Sequence, residues 1–177
     1  MTCVKLPWRL IILKRAASAP TECRRASVRL RDRLLQFIMS AALCGSAWAQ
    51  VVPQPRLPTV QLQAGMHNIV AEVARTPEQQ PIGMMMRTEM AAHEGMLFVF
   101  DDAAPRCFWM KNTLLPLSIA FIEDDGTVVN IAEMKPRSEA SHCSEKPVRY
   151  ALEMNQGWFS KRAIKPGFRL KGPPFKP

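Results

Sequence analysis

The sequence predicts an α+β domain, a small β-rich body whose antiparallel sheet curls toward a half-barrel, with one or two short helices covering one opening. Three observations carry this expectation. Apolar runs of strand length recur between turn signals, as in MLFVF (Met96 to Phe100) and LSIAFIE (Leu117 to Glu123). Asp124-Asp125-Gly126 separates two such runs, and an Asp-Gly pair accepts the positive φ that a tight hairpin requires. Some six short strands stand against one or two short helices, and no segment repeats another.

Taken in order, residues 50–58 (QVVPQPRLP) hold three prolines and suit an extended segment. A proline-containing tether is expected over 50–66 and a single domain over 67–177, with ordered chain beginning near Thr59. From Asn68 the alternation in IVAEVA predicts a strand ending at Arg75. Thr76 is then a candidate N-cap, Pro77 takes the first helical position and Gln79 completes a capping box. Pro81 would cost that helix a hydrogen bond, so the helix begins at Pro81 or kinks there. Thr88 is expected to cap a short helical turn ending at Gly95. Strands follow at Met96 to Phe100, Cys107 to Met110, Leu117 to Glu123 and Thr127 to Met134, with a turn over Asp101 to Pro105. Residues 135–147 form a polar loop that carries Cys143. Beyond it lie a strand from Val148 to Met154, a short amphipathic helix from Gly157 to Ala163, and a last strand around Phe168 to Lys171.

Charge divides the chain unevenly. Residues 1–49 carry nine Lys and Arg against two acids, whereas residues 50–177 carry fifteen against thirteen, so most of the net +9 belongs to the first segment. The remainder lacks the basic excess that binding phosphates demands, and nucleic acid is excluded as an expected partner. Arg29, Arg31 and Arg33 followed by the apolar Leu34 to Leu43 and by Ala47-Trp48-Ala49 have the pattern of a signal peptide over about 28–49, cleaved near Ala49. The apolar run is shorter than a membrane span needs, and Leu43 before Cys44 does not suit a lipid-attachment box, so no stable span is expected after cleavage. The 28 residues ahead of it are explained by a start of translation at Val28 or Leu30, or else by a long basic n-region. The domain is thus expected in the periplasm or outside the cell. Cys3, Cys23 and Cys44 depart with the leader, and the remaining pair, Cys107 and Cys143, is expected to form a disulfide, worth roughly 3 to 4 kcal/mol on the chain-entropy model.

GMLFVF (Gly95 to Phe100), FWMKNTLLPLSIAFIEDDGTVVNI (Phe108 to Ile131) and YALEMNQG (Tyr150 to Gly157), with VAEVARTPEQQPIGMMMR from Val70, resemble in order and spacing the "domain of unknown function 192" family. The resemblance covers Asn68 to Gly172. Pro81 and Met85 depart from the pattern, which touches the helix geometry. The resemblance implies a small β-rich domain, frequently exported in bacteria and without an established activity, and it supplies no catalytic residues.

Candidate chemistry concentrates in FWMKNT. Strand alternation would put Phe108, Met110 and Asn112 on one face and Cys107, Trp109 and Lys111 on the other. Trp109 offers a stacking surface, Lys111 and Arg87 could hold an anion, Asn112 could bind a sugar or amide, and Arg87, Lys111, Asn112 and Glu153 are the polar groups a hydrolase would use. The alternative is that Phe108 and Met110 fill the core, Asn112 caps a turn and Lys111 is solvated. No nucleophile-elbow pattern accompanies His67, His93 or His142, and the Asp101-Asp102 and Asp124-Asp125 pairs lie at expected turns. No cofactor and no metal site are expected, and Met84, Met85, Met86 and Met90 near His93 form the one soft-metal alternative, a copper carrier. The expected function is therefore a non-catalytic binding module for a small polar ligand or an envelope component, with a hydrolase acting on envelope material as the alternative. A titratable group with a strongly shifted pKa near the Trp109 and Lys111 surface would speak for the hydrolase.

Overall fold

The computed structural model describes residues 52–176. The segment expected as a signal peptide, its expected cleavage site near Ala49 and Cys3, Cys23 and Cys44 lie outside the described residues. Among the described residues no helix is long and apolar enough to cross a membrane.

Strands β1 (Thr59–Ala64), β2 (His67–Ala74), β3 (Glu94–Ala104), β5 (Leu117–Ile122), β6 (Val128–Met134) and β8 (Val148–Asn155) form one sheet, and β4 (Cys107–Phe108) pairs with β7 (His142–Cys143) in a second, two-stranded one. The large sheet runs in the order β1-β2-β3-β8-β5-β6. Its pairs are antiparallel except β2 with β3, which are parallel. The chain leaves the end of β2 and crosses back through residues 75–93, a connection long enough for a parallel return and too long for a hairpin.

The curl follows from hydrogen bonding at the two edges. Lys171 pairs with Gln63 of β1, and Arg169 pairs with Thr127 just ahead of β6. Two residues of extended chain span only about 7 Å, whereas the edges of a flat six-stranded sheet lie roughly 24 Å apart, so the sheet must bend until its edges approach each other. Leu62, Ile69, Leu97, Ile122, Leu152 and Met154 fill the inside of this half-barrel, and Trp158, Phe159, Ile164 and Leu170 plug it. Every residue of β5 is buried, because the opposite face is covered too. There Met96, Phe98, Ile119, Phe121 and Ala151 carry a second cluster, roofed by Met84 and Met110 from two loops.

Several local expectations change. β1 lies inside the stretch expected as tether, and Gln54 ahead of it is buried with its Nε2 donating to the Gly83 carbonyl at 2.8 Å. The capping box forms as expected, Gln79 N–H donating to Thr76 Oγ1 and Gln79 Oε1 accepting from Thr76 N–H, but the helix it starts, α1 (Gln79–Ile82), lasts one turn. Gly83 at φ 49° ends it. No helix forms over Thr88 to Gly95, where Glu94 and Gly95 begin β3, paired with Val70 and Ala71. A Cβ on Gly95 would meet the Glu153 carbonyl and the Met154 sulfur, so only glycine allows β3 and β8 to approach there. Asp101 to Ala104 continue β3 beyond an irregularity instead of turning, because Ala104 pairs with Val148 of β8. The strand expected over Cys107 to Met110 keeps two residues, the last strand reduces to its two bridges, and Gly157 to Ala163 becomes a turn with a 3-10 helix at Ser160–Arg162.

Candidate functional site

A pocket of roughly 320 Å³ opens on the outer face of the half-barrel, between the loop around α1 and the loop that β4 and β7 stiffen. Phe98 and Phe100 of β3 and Phe108 form its aromatic side, Trp109 stands at its mouth, and Glu153 of β8 is deep inside. The rings pack edge to face, Phe108 lying 4.8 Å from Phe98 between centroids and 6.4 Å from Phe100. Backbone bonds hold both walls: Met86 N–H donates to the Asn112 carbonyl at 2.9 Å, and Met110 N–H to the Ser138 carbonyl at 2.8 Å. The polar groups of the lining are largely committed elsewhere. Gln80 Nε2 donates to the Val99 carbonyl at 2.8 Å, and the Arg106 guanidinium donates to Asp102 Oδ1 at 2.7 Å while lying 4.1 Å over the Phe100 ring.

Two glutamates share this face of the sheet, one step on either side of Met96, since Met96 is the register partner of both Glu72 and Glu153. Their surroundings differ completely. Burial by itself would push the Glu72 carboxyl up, but the Arg87 guanidinium, the Leu57 N–H and Arg56 all donate to it and together hold it below the usual carboxylate range. Arg87 meets it with two parallel N–H···O bonds, the geometry that best compensates a buried charge. Glu153 is 4% exposed, sits between Met96 and Ile119, and has no hydrogen-bond or charge partner among the described residues. Burial alone pushes its carboxyl up to about 8.

The five candidate residues therefore separate. Trp109 (48% exposed) and Glu153 come together in the pocket. Arg87 does not line it, because its charge is spent on Glu72. Lys111 points to the outside, 5.3 Å from the Trp109 ring and 3.8 Å from Glu139, an exposed pair of little energetic weight. Asn112 occupies a left-handed turn at φ 59°, which breaks the alternation expected through the segment, and its carbonyl serves the Met86 N–H. Met84 belongs to the outer core cluster and Met90 packs against it, while His93 is exposed. No three His, Cys, Asp or Glu side chains converge among the described residues. Sequence reasoning missed Gln80 and Phe100, which reach the pocket from α1 and β3, and Arg106 and Thr113, which reach it from loops with no periodic signal. Glu153 carried one: it interrupts the apolar run of YALEM at a position whose neighbours on both sides are buried.

Cys107 and Cys143 face each other in register across β4 and β7 and are joined by a disulfide, so Cys143 is no free nucleophile beside His142. Because Cys107 also lines the pocket, the bridge closes a loop of 36 residues and fixes one wall at once. Cys143→Ser is expected to lower unfolding stability by about 3 to 4 kcal/mol on the chain-entropy model. Urea unfolding of wild type and variant without reductant checks it, and equal midpoints would contradict it.

The model of a protein family described as "Uncharacterized ACR", DUF192, matches residues 60–172. A solved structure of a candidate transcription regulator from Sinorhizobium meliloti 1021 is similar at 39% identity with a TM-score of 0.63, covering 67% of this chain and 97% of that one. A protein of unknown function from Novosphingobium aromaticivorans DSM 12444 is similar at 35% identity and a TM-score of 0.62, covering 69% of this chain and 91% of its own. No curated protein matches the chain. The matched span begins at the second residue of β1, ahead of Asn68, and runs to Gly172 beside the Lys171 bridge, so that it takes in the sheet from Val60 onward and every wall of the pocket, and the chain belongs to the DUF192 family.

Proposed function

We propose that this is an exported, non-catalytic binding domain, working in the periplasm or outside the cell after cleavage near Ala49, whose pocket takes a small ligand with a polar group turned to Glu153. The observation that carries it is the meeting of Trp109 and an unpartnered, buried Glu153 carboxyl in one aromatic-sided pocket. Folding tolerates such a carboxyl at a cost, and a ligand that completes its hydrogen bonding recovers that cost. The pocket's size falls in the range of small-molecule sites. The disulfide and the arginine-flanked leader support export, and the near balance of charge over 50–177 does not favour nucleic acid. An envelope component presenting a small polar group would fit equally.

Hydrolysis of envelope material is the second reading, favoured by one observation: the raised Glu153 carboxyl within the pocket is protonated near neutral pH, as a general acid should be. Hydrolysis also needs a base or nucleophile. The other polar lining groups are Gln80, Thr113, the Trp109 indole, a disulfide sulfur and an Arg106 bonded to Asp102, none of them a base or nucleophile, which supports binding over hydrolysis.

A thermal-shift screen of the purified protein against sugars, peptidoglycan fragments, amino acids and metals tests binding, since a ligand of the native state raises the melting temperature. The expected hit loses at least tenfold affinity in Trp109→Ala, while the unliganded variant melts within a few degrees of wild type, its side chain being half exposed. A hit unaffected by that change would place the site elsewhere, and turnover of a screened compound would replace binding by hydrolysis.

A further inference from the structure

We propose that the pocket's ligand is an organic cation, a substituted ammonium held by the Glu153 carboxylate with its alkyl groups against Phe98, Phe100, Phe108 and Trp109. This rests on the pocket being a ligand site at all and adds the charge and chemical class of what enters it. A carboxyl at the bottom of an aromatic-sided cavity is the arrangement in which ring faces and one fixed negative charge act together on a cation. The pocket already shows half of that chemistry, in the Arg106 guanidinium over the Phe100 ring.

The other ligand classes fit less well. An anion would be drawn to Arg106, whose Nε has no partner while its Nη2 is held by Asp102, and not to the buried Glu153 carboxyl. A single cationic centre asks for one acidic acceptor, and Glu153 is the carboxyl of the lining.

Proton balance follows. Without ligand the carboxyl is protonated at neutral pH; when the ammonium docks, the O–H bond breaks, the carboxylate pairs with the cation, and one proton passes to the buffer. The groups facing Glu153 do not compete for this role: β3 presents Met96, β5 presents Ile119, and the loops present Met84, Met85, Thr113, Trp109 and the bridged Cys107. Arg106 is the charged neighbour in the lining, and Glu72 beyond Met96 is neutralised by Arg87 and Arg56. His142 pairs with Phe108 across β4 and β7 and serves as the control substitution.

The test titrates the purified protein with tetramethylammonium, choline and butylamine, and with 3,3-dimethylbutan-1-ol, the uncharged isostere of choline, beside glucose and acetate. Calorimetry in two buffers of different protonation enthalpy should show close to one proton released per choline bound at pH 6.5. Affinity for choline should rise about tenfold per pH unit up to about 8 and then level. Glu153→Gln should lose at least tenfold in affinity and abolish the proton release without melting earlier, while His142→Gln should keep both. Equal binding of the isostere, or a Glu153→Gln protein that binds as wild type, would overturn the cation. A glucose or acetate shift that Trp109→Ala removes would overturn it while leaving the ligand site standing, and silence of the entire panel would overturn both.

Discussion

The stability of the wild-type protein is expected to fall by up to about 5 kcal/mol as pH rises from 4.5 to 8, and the Glu153→Gln protein is expected to lack that fall. The sign follows from proton counts. Between the unfolded value of 4.5 and the folded value of about 8, the native chain holds a proton on Glu153 that the unfolded chain has released. The favourable term is thus complete below 4.5, is lost as pH rises toward 8, and changes no further above it. Glu72 behaves oppositely: its lowered carboxyl contributes stability above 4.5 that is lost as pH falls from there through its folded value. Urea unfolding at intervals from pH 3 to 9, on both proteins, separates the two, because the acid limb should survive in Glu153→Gln while the slope between pH 4.5 and 8 disappears. Identical slopes would remove Glu153 from the account. A domain with a total stability of 5 to 15 kcal/mol keeps a group this costly where it serves a site, and the substitution should then exchange ligand affinity for stability.

Arg87→Met is expected to cost about 3 to 5 kcal/mol of unfolding free energy, the largest loss of any single charge in the described domain. It removes two of the bonds to a carboxylate that is 3% exposed, leaving Arg56 and one backbone N–H to compensate it. Arg87→Lys should recover only part, since an ammonium cannot make the paired contact of a guanidinium. Arg56→Ala, whose side chain is 57% exposed, should cost about 1 kcal/mol or less. The decisive comparison is Arg87→Met combined with Glu72→Leu. With the charge gone as well as its partner, the double variant should be more stable than Arg87→Met alone. Denaturant midpoints of the four proteins measure this, and a double variant weaker than either single one would show that the pair packs rather than compensates charge.

These two glutamates also mark how far the sequence could be read. Strand alternation identified β2, β5, β6 and β8 closely, because each carries its apolar residues in a run that local chemistry bounds, as at Asp124-Asp125-Gly126. The same alternation sorted Met110 inward and Trp109 outward, and it failed at Asn112, where a left-handed turn ends the pattern. Residues 88–95 looked like a capped turn of helix but form a loop whose last two residues, Glu94 and Gly95, begin β3, since pairing with β2 outweighs the weak preference of one Thr for a cap.

What the residues determined unaided was the kind of domain and its clamp: short apolar runs that form strands, a capping box on one helical turn, and two cysteines left to pair. These depend on spacing along the chain and on nearest neighbours. The parallel return of β2 to β3, the curl that brings Gln63 and Thr127 to one short C-terminal segment, and the opposite fates of Glu72 and Glu153 were decided only in three dimensions. A carboxyl's charge state depends on which donors reach it from distant parts of the chain. Arg87 and Leu57 reach Glu72, nothing reaches Glu153, and no local pattern distinguishes the two.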